Sequence, residues 1–113
     1  MTGNWKTDNW DALLRGESCP LCDLFRSGRS EDAHGITVTD LPFSRLFLAK
    51  NQFVKGYCVL ICRHHVIEPF ELSAVERATY FDDLALVGKA LQQAFQADKM
   101  NYNILGNVIP HLH

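Results

Sequence analysis

Apolar and polar positions along this chain change their period twice. In "WDALLRG", Trp10, Leu13 and Leu14 recur at helical spacing. Asp8 or Asn9 stands where a cap is needed and Gly16 where the turn stops. Up to about Ser30 the pattern predicts a short helical turn followed by a cysteine knuckle, and then a polar loop, "RSGRSEDAHG". Beyond it the period drops to two. "GITVTDLP" is a short β-branched run, "FSRLFLA" (43–49) is a second strand, and "KGYCVLICRHHV" (55–66) is the strongest. There Tyr57, Val59 and Ile61 alternate with Cys58, Leu60 and Cys62. A strand apolar on both faces is expected in the middle of a sheet.

Helical spacing returns over residues 71–99. Ser73 with Glu76 forms a capping box, in which each side chain satisfies a backbone N–H of the first turn. Phe81, Leu84, Val87, Leu91 and Phe95 make one apolar stripe. Gly88 weakens the helix by about 1 kcal/mol relative to alanine, and in exchange lets it close on the sheet. "NYNILG" and "NVIPHLH" are expected as two last short strands. The sum is an α+β domain over 1–113, an antiparallel sheet with one long helix on it.

Composition narrows the functions. The chain has 113 residues, 47% hydrophobic and 21% charged, which suits one domain with its own core. A domain of this size gains from a metal or a partner subunit. The net charge of -2 and the lack of a basic stripe argue against nucleic acid. No apolar run reaches the roughly 18–20 residues that span a bilayer, and the polar "MTGNWKTDNWD" start lacks a signal-peptide core. A cytoplasmic protein without membrane partners is the expectation. Its four cysteines are then thiols or metal ligands rather than disulfides.

Three groups of residues could carry chemistry. In a strand, His111 and His113 share one face and Leu112 the other. Both could be surface histidines at a fraying end, but a neutral imidazole nitrogen near pH 7 can also bind a metal or attack an electrophile. "CPLC" sets Cys19 and Cys22 within reach of one ion. It reads as a zinc half-site, a redox pair or two plain thiols. The redox reading wants a βαβ context, which the preceding residues do not offer. Two of the five histidines would complete a Cys2His2 set, with His64, His65 and His111 as candidates. Cys58 and Cys62 stand about 13 Å apart in a strand, too far for a disulfide, and read as small core residues. His34 lies in a loop and is expected in solvent.

"NVIPHLH" resembles the start of the histidine-triad signature, in which three histidines alternate with apolar residues. "CPLC" resembles the cysteine pair of many bacterial members. "RLFLAKNQFVKGYCVLICRHH" and "EPFELSAVERATYFDDLALVGKAL" resemble the family's strand–loop–strand segment and long helix. The likeness covers roughly residues 19 to 113. It implies a five-stranded antiparallel sheet with one long helix and a short N-terminal helix, pairing as a homodimer. It also implies hydrolysis or transfer at the α-phosphate of a nucleotide-like substrate through a covalent nucleotidyl-histidine. His113 then holds the nucleophile position, with His111 beside it. In zinc-binding members the ligands resemble Cys19, Cys22, His65 and His111, His65 being preferred to His64 because it ends the matching segment.

The chain also departs from that pattern. The third histidine would stand two residues after His113, so the final strand is expected to be cut inside the signature. Ala49 replaces an aspartate that holds ribose hydroxyls. Tyr57 stands where a glycine–histidine pair is usual, and Val108 where a hydroxyl side chain helps bind phosphate. Asn101, Asn103 and Asn107 are the polar candidates for substrate contact, with backbone N–H groups of 107–113 to stabilise charge. Two functions follow: a histidine-triad hydrolase or transferase, or a zinc-stapled dimeric module that binds without turnover.

Overall fold

The antiparallel ladder is built from the segments that alternate in the sequence. A computed structural model describes residues 8–113, so most of the polar start weighed above as a leader lies outside the described residues. The strands are β1 (Gly35–Leu41), β2 (Ser44–Ala49) and β3 (Cys58–Cys62), in the order β1-β2-β3. Leu46 pairs with Leu60 and Phe47 with Val59. Residues facing each other across an antiparallel pair share a face, so this register sorts the apolar side chains into two sets. A bulge between Thr37 and Thr39 breaks the outer ladder.

The α-helices among the described residues are α1 (Trp10–Leu14), α2 (Pro20–Ser27) and α3 (Ala74–Phe95). Leu46, Leu60 and Cys62 meet Leu72, Tyr80 and Val87 under α3. Phe47 and Ile61, on the opposite face, meet Leu24 of α2. The sheet is therefore covered on both faces. α2 was not anticipated, although its signals are present: Pro20 opens it and Gly28, at φ 70°, ends it in the left-handed conformation.

α3 starts at the expected capping box, with Ser73 Oγ accepting from Glu76 N at 3.2 Å and Ser73 N donating to Glu76 Oε1 at 2.9 Å. Phe81, Leu84 and Leu91 pack on the core and Val87 is inside it. Phe95 departs from the stripe and lays its ring on Gly56 instead. Gly88 does not serve contact with the sheet. A Cβ there would collide with the hydroxyl of Tyr102. Asp83, buried on the same helix, accepts from Phe43 N at 2.9 Å and Ser44 Oγ at 2.8 Å, fastening α3 to the β1–β2 turn.

Three expectations are corrected. The sheet has three strands among the described residues, not five. β3, apolar on both faces, is covered above and below but lies at the lateral edge, with β2 in the middle. Residues 101–105 and 107–113 are not strands. A strand exists only where a neighbour supplies a ladder. Tyr102 rests on α3, and the backbone of the last segment meets the body through two isolated backbone bonds, Cys62 N to Leu112 O at 3.0 Å and Leu112 N to Val66 O at 2.8 Å. Pro110 has no N–H to add. Among the described residues no helix is long and apolar enough to cross a membrane.

Candidate metal centre and adjoining groove

Four separated pieces of chain meet at one point. Cys19 is the N-cap of α2 and its sulfur accepts from Cys22 N at 3.4 Å, so the first helical turn turns both thiols the same way. His65 lies on the bend after β3. Glu71 steadies that bend, its carboxylate accepting from Ile67 N and Glu68 N at 2.7 Å each. His111 arrives from the last segment, with Leu112 turned into the core under α3. The ligand atoms of Cys19, Cys22, His65 and His111 all lie within 4.8 Å of one another. Cys19 and His111 are 1% exposed, so the centre is closed on one side.

The hydrogen bonds decide which nitrogen of each ring faces inward. His111 Nε2 lies 2.8 Å from Cys62 O, and His65 Nε2 lies 3.1 Å from Leu14 O. A carbonyl only accepts, so both Nε2 atoms carry the proton and both Nδ1 atoms present lone pairs. These two Nδ1 atoms are 3.2 Å apart. The sulfur of Cys19 is 3.4 Å from His111 Nδ1, and that of Cys22 is 3.4 Å from His65 Nδ1. Two inward lone pairs at that separation repel, and either the neighbouring thiol protons or a cation between the rings relieves them. A shared proton is disfavoured, because burial lowers the pKa of His111 to about 4. Burial, with Cys19 adding to it, pushes the Cys22 thiol up to about 12, so a metal ion must displace a proton there. Neutral imidazoles anchored through their outer nitrogen, with thiols beside them, are the donor set that zinc takes.

His113 is half-buried next to this centre. Its Nδ1 donates to the carbonyl oxygen of His111, which leaves the Nε2 lone pair unspent by that bond. The ring lines a groove of about 490 Å³ between β3, α3 and residues 99–105, and also a smaller hollow of about 250 Å³. Asn101 and Asn103 line the first and Asn107 and Val108 the second, all exposed. Tyr57 sits at the rim of the groove, 5.0 Å from Phe53 ring to ring. Of the backbone donors expected at 107–113, two are already committed. His111 N bonds Ile109 O and Leu112 N bonds Val66 O.

The remaining candidates lie apart. His64, next to His65, points away from the thiols, with its Nδ1 3.2 Å from Glu76 Oε2 and its ring edge-on to Phe43. His34 is exposed. Cys62 is fully buried and Cys58 partly so, both in the core under α3 and both unpaired. Sequence reasoning missed the two carbonyls, of Leu14 and Cys62, that orient the rings. No side-chain signal could have pointed to them.

Comparison with known proteins bears on the family and the fold. The family model of the HIT domain matches residues 31–113. Cys19 and Cys22 lie before that stretch. Among solved structures the fold is similar to that of a histidine triad protein from Bradyrhizobium japonicum, with a TM-score of 0.66 and 29% identity. The match covers 70% of this chain and 59% of that one, so the chain spans about three-fifths of the length of that relative. No curated protein matches the chain.

Proposed function

The chain belongs to the HIT-domain family, and from that premise we propose that it is a zinc-holding hydrolase or transferase acting at the α-phosphate of a nucleotide-like substrate, with His113 as the nucleophile. The observation that carries this reading is the bond from His113 Nδ1 to His111 O. It assigns the tautomer, leaving Nε2 to attack phosphorus. As Nε2 forms its bond to phosphorus, the ring becomes cationic, and the carbonyl dipole at Nδ1–H stabilises that charge. The bond from phosphorus to the leaving group breaks, and the leaving group departs with its electron pair. Water then attacks the nucleotidyl-histidine and releases a proton to solvent, the P–N bond breaks with its electron pair returning to Nε2, and the ring regains its neutral form. Asn101 and Asn107 are the polar side chains for substrate contact along the two hollows that His113 lines.

Cys19, Cys22, His65 and His111 would hold the metal. A zinc ion there, bound by two thiolates and two neutral imidazoles, would make a net-neutral staple rather than an open catalytic position. Its ligand His111 carries the carbonyl that orients His113, so the metal ligand and the nucleophile share one short stretch of backbone. The same family premise carries a homodimer, which sedimentation of the purified protein tests.

The deciding experiment is covalent capture. The native protein incubated with a labelled adenylyl phosphoramidate should acquire the label, and His113→Ala should not. Saturable nucleotide binding with no covalent label from either protein would instead establish a non-catalytic binding module, the reading that Ala49, Tyr57 and Val108 favour. Metal analysis of the same preparation should give about one zinc per chain.

A further inference from the structure

We propose that α1 is a clasp closed by the metal centre: occupancy of the four-ligand site orders residues 10–16 against the body, and loss of the ion releases them. This rests on the zinc reading above and concerns an element that reading does not use.

The argument starts from the length of α1. It has five residues, Trp10–Leu14, and helices shorter than about 12–15 residues are marginal in water without tertiary contacts. Its Asn9 cap makes no side-chain hydrogen bond to the first turn. Its order therefore depends on what it docks against. Leu13 supplies one buried side chain, at 5% exposure. Two further attachments go through a single ring. Leu14 O, one of the carbonyls that a helix end leaves without an internal partner, accepts from His65 Nε2 at 3.1 Å. Gly16, at φ 83°, lies so close that a Cβ there would stand 3.3 Å from the His65 ring. That turn needs glycine both for its backbone and for the approach of the imidazole.

The other nitrogen of the same ring faces Cys22 Sγ and His111 Nδ1 at 3.4 and 3.2 Å. A cation on Nδ1 fixes the ring plane and makes Nε2–H a stronger donor. That is the donor α1 uses. A partly exposed imidazole with no cation on its inner nitrogen is free to turn, and Leu14 O and Gly16 then lose a defined surface. Because coupling between two events is reciprocal, α1 must also hold the ion: loosening the clasp weakens metal retention by the same factor.

Hydrogen–deuterium exchange of the full chain, zinc-loaded and after chelation, tests this. Amides of residues 10–17 should exchange about tenfold faster or more after chelation, while the central turns of α3 keep their protection. Equilibrium competition for zinc with a chromophoric chelator supplies the second readout. Leu13→Ala, which removes a contact of α1 and no ligand, should bind zinc about tenfold more weakly than the parent chain. This variant decides the matter if chelation unfolds the whole domain. Zinc bound at one per chain, with unchanged exchange at 10–17 or an unchanged zinc affinity in Leu13→Ala, would overturn the clasp and leave the zinc reading standing. A protein that retains no zinc would overturn both.

Discussion

At the scale of single residues, two adjacent histidines have different environments, and the difference is measurable. His65 presents Nδ1 to the thiols while His64 pairs with Glu76 on the surface. His65→Ala should therefore lose most of the bound zinc, and His64→Ala should keep about one per chain, by metal analysis of the purified variants. Tyr80 offers a pH test away from the metal. Its hydroxyl donates to Leu60 O at 2.8 Å, and burial pushes its pKa up. Above about pH 10 the unfolded chain gives up the phenolic proton and the folded chain keeps it. The contribution of Tyr80 to stability is thus complete below that pH and is lost as the pH rises beyond it. Tyr80→Phe should cost about 1 kcal/mol at neutral pH and show a shallower alkaline loss in denaturant titrations. CxxC and the paired C-terminal histidines were visible as residue types, and the preference for His65 over His64 came from the family resemblance. The tautomers were not visible, because backbone carbonyls set them.

At the scale of elements, α3 is held at its start and at its middle by different means. The Ser73–Glu76 box is local and was readable three residues apart; Ser73→Ala should lower stability by about 1 kcal/mol in urea titration. Asp83 is a long-range device. Removing its carboxylate in Asp83→Ala leaves the buried Ser44 hydroxyl and the Phe43 amide without their acceptor, and should cost about 2–4 kcal/mol, read as a lower midpoint with an unchanged slope. Nothing in the spacing of Asp83 marked it, since its partners are some forty residues away. α2 was the opposite case. Pro20, the amphipathic "LCDLF" and Gly28 announced a helix, but the metal-binding look of "CPLC" led to a knuckle reading. The burial of both faces of β3 required such a cover.

At the scale of the whole molecule, the Cys2His2 cluster brings together segments far apart in sequence: the start of α2, the bend after β3 and the last residues. Chelation should accordingly lower the melting temperature by several degrees, with restoration on adding zinc back, followed by circular dichroism. Acidification should release the ion before the body unfolds, because imidazole and thiol ligands bind metal only when deprotonated. The sequence by itself determined β1, β2 and α3, the apolar alternation of β3 and the chemical identity of the four donors. Each of these rests on local periodicity or on side-chain type, which the order of residues specifies directly. Only the tertiary structure decided that residues 101–113 form no ladder and that β3 ends as an edge. It also decided that α2 closes the second face and that two imidazoles turn their lone pairs toward each other. Those outcomes depend on which distant backbone groups are left to pair. Long-range contact settles that question, because pattern along the chain carries no record of it.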